Sequence, residues 1–161
     1  MGSNVFLAKV DPDDFDDTVR SAVDLDEYPD RPAALSDAAT ARFWRVETGS
    51  SSQDHYEKME SGDLVLFYAD GVYVGVGQVG TSFEDDEEWA SSTLWDDGEY
   101  THLYTIIDFT PVEVEKAAVN RIFGYSDGYT PQSLLRVADD RVTRRPEAIE
   151  LALERYSEKH G

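Results

Sequence analysis

The chain has 161 residues, of which 34 are Asp or Glu and 14 are Lys or Arg, so its formal net charge is −20 at pH 7. It contains no cysteine, which excludes disulfides and thiolate metal sites. No apolar run has the length of a signal-peptide core or a membrane span. We therefore expect a soluble cytoplasmic protein without membrane association, folded as one domain over residues 1–161.

The acidic excess accompanies ordinary apolar runs, so the composition is not that of a disordered chain. An Asp- and Glu-rich, Lys-poor shell around a normal core resembles proteins of salt-accumulating halophiles, whose surface charge keeps them hydrated. In dilute salt this charge would repel phosphates. In molar salt the Debye length is only about 3 Å. The net charge therefore does not exclude a nucleic-acid partner.

The predicted elements begin with a strand over Val5–Lys9, followed by Asp11-Pro12, which can cap and open a helix. A second strand is predicted over Arg42–Val46. Further along, a strand is predicted over His102–Asp108, and Pro111 is expected to end it. A helix over Val114–Phe123 follows. The chain closes with a short strand over Leu134–Val137 and a helix over Pro146–Ser157.

A hairpin is predicted at the centre of the chain, where Leu64–Tyr68 and Val72–Val79 are separated by Ala-Asp-Gly. Asp-Gly between apolar runs is a strong hairpin signal because the turn needs residues that tolerate positive φ. The valines of the second strand alternate and predict a core face. Its glycines predict either a bend or a face that another backbone, a helix or a flat ligand approaches closely. About six strands with flanking helices indicate an α+β fold with one bent mixed sheet.

Motifs for catalysis or cofactor binding are lacking. The sequence has no Gly-x-Ser-x-Gly elbow, no phosphate loop and no His-rich zinc spacing, so we expect no catalytic residues, no metal and no cofactor. A small enzyme that uses His55 or His102 with a carboxylate is an alternative from another class.

The three tryptophans are Trp44, Trp89 and Trp95. Trp44 lies in a predicted strand between arginines, whereas Trp95 lies in a polar loop, where an indole either caps the core or faces a ligand. Trp89 follows a run of carboxylates and is interpreted as core or rim packing.

The order of several short motifs resembles the PUA-like superfamily, particularly its EVE and YTH branches. The resemblance covers about residues 4–137, and its C-terminal part looks like EVE-type modules attached to modification-dependent restriction nucleases. The matching motifs are Val5-Phe6-Leu7-Ala8-Lys9 with 11–15, Phe43-Trp44-Arg45, the hairpin from Gly62 to Val79, and Asn120–Tyr125 with Tyr129–Val137.

This resemblance implies a bent mixed β-barrel that holds one flipped nucleotide base in an aromatic pocket. Trp44 and Trp95 would be the pocket walls, with Lys9 and Asp11 near the rim and Tyr68 in the same pocket. Stacking on aromatic side chains is worth about 1–3 kcal/mol per base. Arg45 follows the first Trp where YTH domains carry a small residue, so specificity for methyladenine in RNA is not transferred.

Cationic side chains would contact the nucleic-acid backbone, and salt bridges to the many carboxylates are the alternative role for them. The expected function is therefore recognition of a methylated cytosine or adenine in DNA, as the recognition module of a restriction or defence system with a companion nuclease. An RNA-binding PUA-like protein is the runner-up. Besides Lys9, the candidate backbone contacts are Arg42, Arg45, Arg136, Arg141, Arg144 and Arg145.

Overall fold

The computed structural model describes residues 4–36, 39–46, 51–84, 89, 102–131, 134–142 and 145–160. Four α-helices are present in this part of the chain, and the first continues as a π-helical turn over Asp16–Arg20. No helix in these ranges is long and apolar enough to cross a bilayer. The helices are α1 Pro12–Phe15, α2 Ser51–Tyr56, α3 Lys116–Phe123 and α4 Pro146–His160. The strands are β1 Val5–Lys9, β2 Val23–Asp24, β3 Thr40–Val46, β4 Leu64–Ala69, β5 Val72–Glu84, β6 His102–Glu115 and β7 Leu134–Arg136.

All seven of these strands belong to one mixed sheet in the order β2-β3-β6-β5-β4-β1-β7. Of the pairs that they form, β1 and β4 run parallel and the others are antiparallel. The strands predicted from the sequence all lie in this sheet, and the α+β class is confirmed. The sheet is open and does not close into the predicted barrel, because the short β2 and β7 form its two opposite edges. It also has seven strands where about six were expected.

The hairpin between β4 and β5 is confirmed. Asp70 has a φ of 52° and Gly71 a φ of 88°, which is the pair of positive values that a two-residue I′ turn requires. The turn brings Ala69 opposite Val72 and Tyr68 opposite Tyr73.

The predicted single valine face of β5 is wrong, because the pairing of β5 shifts register near Gly75. Val74 therefore packs with one buried cluster and Val76 with another. A Cβ added to Gly75 would lie 2.5 Å from Cε1 of Phe109, and one added to Gly77 would lie 2.6 Å from a methyl group of Ile106. Because these glycines have no side chain, Phe109 and Ile106 of the neighbouring β6 pack against the backbone of β5.

The strand β6 continues through Pro111 to Glu115, so the prediction that Pro111 ends it is wrong. Beyond Ile106 its described partner is β5 alone, and the register shifts beside Pro111. Pro111 has no backbone N–H to donate to the neighbouring strand, and this is tolerated at such an irregular position. Helix α3 therefore begins at Lys116, two residues later than predicted.

The sheet buries an apolar cluster on each face, because successive side chains of a strand point to opposite sides. The first cluster contains Phe6 and Phe67 and is covered by Phe15 of α1. The second cluster contains Leu7 and Leu66 and is covered by α3 and α4, which contribute Val119, Phe123, Ile149 and Leu153.

The edge strand β7 is attached to α2 through His55, whose Nδ1 accepts a hydrogen bond of 3.1 Å from the backbone N–H of Arg136. Burial, followed by the charge of Lys58, lowers the pKa of His55 from its ordinary value of 6.5. The neutral ring is thus the form that the fold favours, and it is the form that can accept this hydrogen bond.

We expect the stability that His55 contributes to be present above pH 6.5 and to be lost as the pH falls from 6.5 through the lowered pKa. In that interval the unfolded chain binds the proton and the folded chain does not. Denaturant unfolding of the wild type and of His55→Asn, whose amide oxygen can replace Nδ1 as acceptor, measures the difference. The same dependence on pH between about 5 and 7 in both proteins would contradict this assignment.

Candidate nucleic-acid interface

Trp44 lies on β3 directly opposite Tyr104 of β6, within the first cluster. Only 4% of Trp44 is exposed. The ring of Phe15 meets it edge-on, with 6.3 Å between the ring centroids. The guanidinium carbon of Arg45 lies 4.5 Å from the centroid of the indole, which is a cation–π arrangement.

An ion pair holds Arg45 in this position. Its Nη1 lies 2.6 Å from Oδ2 of Asp14, and the side chains of Arg45 and Asp14 are 9% and 16% exposed. Asp11 begins α1 by accepting hydrogen bonds from the backbone N–H groups of Asp13 and Asp14. The predicted rim residue Asp11 is therefore the cap of the helix that carries Asp14.

Tyr104 adds an unusual polar group beside Trp44. Its side chain is fully buried, and its hydroxyl has no hydrogen-bond partner among the residues that the structure describes. Burial raises the pKa of Tyr104, so the hydroxyl remains a proton donor at neutral pH. Most buried polar groups are paired, and an exception calls for an explanation such as a bound ligand.

The other two described pocket residues, Lys9 and Tyr68, are neighbours across the parallel pair of β1 and β4. Lys9 is exposed, whereas Tyr68 is buried in the second cluster, 5.2 Å from the ring of Tyr73. Because Phe67 points to the first cluster, Tyr68 points to the opposite face of the sheet. The structure thus does not bring Tyr68 together with Trp44, and Trp95 lies outside the described residues.

The third tryptophan, Trp89, is buried in the first cluster. Its Nε1 donates a hydrogen bond to Asp30, and Phe43 packs against its ring. This placement agrees with the interpretation of Trp89 as core packing.

Two candidate arginines donate hydrogen bonds to backbone carbonyl groups. Nε of Arg42 donates to the carbonyl oxygen of Val19 at 2.7 Å. Nη1 of Arg141 donates to the carbonyl oxygen of Gly124 at 2.8 Å and to that of Phe123. These bonds connect neighbouring elements, so each guanidinium has a structural contact in addition to any contact with phosphate.

Arg136 is held by side chains, with hydrogen bonds from Nε to Oδ1 of Asn4 and from Nη2 to Asp139. Together with the Arg45–Asp14 pair, this agrees with the salt-bridge alternative for some of the arginines. Arg145 is exposed at the start of α4, and Arg144 lies outside the described residues.

Replacing Arg144 and Arg145 together by alanine is expected to weaken nucleic-acid binding similarly for all sequences and to make its salt dependence shallower. Each lost phosphate contact lowers the slope of log K against log salt by about 1. Titrations at several potassium chloride concentrations measure both effects. Arg155→Ala, which removes an exposed cation of α4, is the control. Unchanged affinity and slope in the double variant would assign the two arginines to salt bridges.

The residues that the sequence interpretation did not assign to a site are Asp14, Phe15 and Tyr104. Asp14 had a weak signal as an acid in the first turn of a capped helix, which suits the helix dipole as well as a site. Tyr104 had none, because an alternating strand does not reveal which hydroxyl remains unpaired.

Comparisons with known proteins identify no matching family model and no matching curated protein. Among solved structures, the N-terminal domain of McrB from Thermococcus gammatolerans, bound to m5C DNA, superposes with a TM-score of 0.68. It is 17% identical and covers 88% of this chain and 94% of its own.

Two other solved structures share the arrangement at lower similarity. The YTH domain of the MRB1 protein from Zygosaccharomyces rouxii, in complex with N6-methyladenosine RNA, has a TM-score of 0.53 and 13% identity over 95% of this chain and 85% of its own. A mutant form of the ASCH protein of Zymomonas mobilis has a TM-score of 0.50 and 10% identity over 91% of this chain and 97% of its own. The chain thus has the PUA-like fold, as these three domains do.

Proposed function

We propose that this protein reads a modified base in DNA, which it takes from the strand by flipping and holds against Trp44. It would act as the recognition module of a modification-dependent restriction or defence system, with no catalytic step of its own. The likeness to a McrB domain bound to m5C DNA and to a YTH domain bound to N6-methyladenosine RNA supports a reader of this kind. The higher TM-score of the McrB domain favours DNA, and RNA is the alternative partner.

The observation that carries the proposal is the stack of Arg45 on Trp44. A guanidinium is a flat cation, so the indole already accommodates a planar group. A flipped base can take the place of the guanidinium. Base stacking on an aromatic ring is worth about 1–3 kcal/mol, against about 0.5–2 kcal/mol for a cation–π contact. Base stacking therefore matches or exceeds the cation–π contact that it replaces, and the loss of the hydrogen bond between Arg45 and Asp14 is a further cost of the exchange.

The surroundings of Trp44 also suit discrimination between bases. Phe15 contacts Trp44, and its ring centroid lies 5.2 Å from that of Phe67, so the two phenylalanines provide an apolar wall. Burying one added methyl group is worth about 0.8 kcal/mol. The buried hydroxyl of Tyr104 supplies a donor for the polar edge of the base. In this proposal Trp95 is the second wall, as the sequence resemblance implies.

A binding screen tests the proposal directly. Oligonucleotides of one sequence would carry cytosine, 5-methylcytosine, hydroxymethylcytosine, adenine or N6-methyladenine, each as DNA and as RNA, in molar potassium chloride. We expect one modified DNA to bind at least about fourfold more tightly than its unmodified form, since about 0.8 kcal/mol corresponds to about a fourfold change in affinity. A modified RNA as the tightest ligand would establish the alternative. Equal affinity for all oligonucleotides would overturn the reader function.

Asp14→Asn is expected to tighten binding of the modified oligonucleotide by about two- to tenfold. Loss of the charge-assisted hydrogen bond removes part of the cost of moving Arg45 away from Trp44. Asp13→Asn is a matched control, because it removes one carboxylate from the same helical turn without touching an ion pair that the structure shows. Equal affinities of the two variants would show that Arg45 does not compete with the base.

A further inference from the structure

Four tyrosines, which we call the tyrosine cluster, lie together on the face of the sheet opposite Trp44. They are Tyr68, Tyr73, Tyr125 and Tyr129. The rings of Tyr125 and Tyr129 stack with 4.4 Å between centroids and 15° between planes, and both side chains are half-buried. Two large aromatic side chains therefore reach the surface as a nearly parallel stack.

Buried contacts fix the loop that carries this stack. Asn120 of α3 is fully buried, and its Nδ2 donates to the carbonyl oxygens of Asp127 at 3.1 Å and Tyr129 at 2.9 Å. Arg141, bonded to the end of the same helix, places its guanidinium carbon 4.4 Å from the ring centroid of Tyr125. Arg141 and Tyr129 both pack on Tyr125. The stack is thus held in place before any ligand arrives, which lowers the entropy cost of binding.

The hydroxyl of Tyr73 is an unexplained polar group at the base of the cluster. Tyr73 is 0% exposed, and within the described part of the chain its hydroxyl has no hydrogen-bond partner. The pKa of Tyr73 is raised first by burial and then by the nearby Tyr129, Tyr68 and Tyr125. Its hydroxyl therefore lies close to the other three tyrosines. Apolar packing alone would be served equally well by phenylalanine, so the hydroxyl calls for a polar partner, and a ligand or an ordered water can supply one.

Cationic side chains border the cluster on a chain of net charge −20. Exposed Lys9 is paired with Tyr68 across the strands, and Arg141 lies against Tyr125. Nζ of Lys116 donates to Thr130, next to Tyr129 in the chain. Stacked aromatic rings bordered by cations suit a group that is both planar and anionic, and a nucleotide has both properties.

We propose that the tyrosine cluster is a second nucleobase-binding site, where an unmodified base of a single strand stacks on Tyr129 while Lys9 and Arg141 face its phosphates. The polar edge of the base would accept a hydrogen bond from Tyr73. Such a site holds the strand without regard to modification, since every base has an aromatic face. Binding at the tyrosine cluster does not depend on whether Trp44 discriminates between modified and unmodified bases.

Two variants and a photo-crosslink test the site, with an unmodified oligothymidylate as the probe. Tyr129→Leu keeps apolar bulk but removes the ring, and we expect the affinity to fall by about tenfold. Tyr73→Phe removes only the hydroxyl, and we expect weaker binding with unchanged or higher stability, because an unpaired buried group is removed. An oligonucleotide with 5-iodouracil should crosslink to Tyr125 or Tyr129, as identified by mass spectrometry. Tyr156→Leu, at another half-buried tyrosine of the second cluster, is the control.

Wild-type affinity in both Tyr129→Leu and Tyr73→Phe, with crosslinks elsewhere, would overturn the site. If Tyr129→Leu melts early, Tyr73→Phe and the crosslink decide the question. A protein that does not distinguish modified from unmodified DNA but still crosslinks at Tyr129 would refute the reader function and leave this site standing. Capture of an acidic peptide in competition with the oligonucleotide would show a protein-binding surface and contradict the proposal.

Discussion

Replacing Trp44 by alanine is expected to lower the free energy of unfolding by about 3–5 kcal/mol. The indole is 4% exposed and packs with Phe15, while Tyr104 lies opposite it on the next strand. Truncation would leave a large cavity and remove the surface on which Arg45 stacks. Denaturant unfolding measures the loss. A cost below about 1 kcal/mol would show that the burial of Trp44 contributes little to the stability of the fold.

Trp44→Phe separates binding from folding, because it keeps most of the apolar volume and reduces the stacking area. We expect this variant to lose about 1 kcal/mol of affinity for the modified oligonucleotide, a part of the ~1–3 kcal/mol that removal of the whole aromatic ring costs. Trp89→Phe is the matched control, since Trp89 is similarly buried in the same cluster but is not part of the Arg45 stack. Equal affinities of the two variants would exclude Trp44 from the pocket.

Replacing Asp63 by alanine is expected to cost about 2–4 kcal/mol of stability, the second large effect. Asp63 is fully buried ahead of β4 and accepts hydrogen bonds from two residues. The donors are the backbone N–H of Glu60 at 2.7 Å, the backbone N–H of Asn4 at 3.2 Å and the side-chain amide of Asn4 at 3.1 Å. Each donor left unpaired in a buried place costs about 1–3 kcal/mol.

Thermal and denaturant melts of the Asp63 variant measure this effect. Asp127→Ala is the control, because Asp127 forms an ion pair with Arg121 in which both side chains are mostly exposed. Such pairs contribute about 0–1 kcal/mol. Similar losses in the two variants would mean that Asp63 has no special role in joining the start of β1 to β4.

Local sequence signals predicted much of the fold. Asp70-Gly71 indicated the hairpin because only a few residues adopt two successive positive φ values. Asp11-Pro12 likewise placed the start of α1. The five main strands were recognisable from their apolar runs, and the order of motifs along the chain indicated the PUA-like fold.

The arrangement of the site could not be predicted in the same way, because it depends on register shifts and distant partners. An irregularity between Phe67 and Tyr68 and another near Gly75 decide which side chains share a cluster. Hydrogen bonds such as that from Arg42 to the carbonyl oxygen of Val19 join positions that no short motif relates. The separation of Tyr68 from Trp44 follows from the finished sheet and not from any local pattern.

The position of β1 inside the sheet has a consequence for synthesis of the chain. This strand is translated before the other six strands, yet its partners on the two sides are β4 and the late strand β7. Arg136 donates a hydrogen bond to Asn4 across 132 positions. A nascent chain that has not yet released residue 134 from the ribosome therefore presents one edge of β1 unpaired. Unpaired strand edges recruit other chains, so truncated translation products of this protein are expected to aggregate.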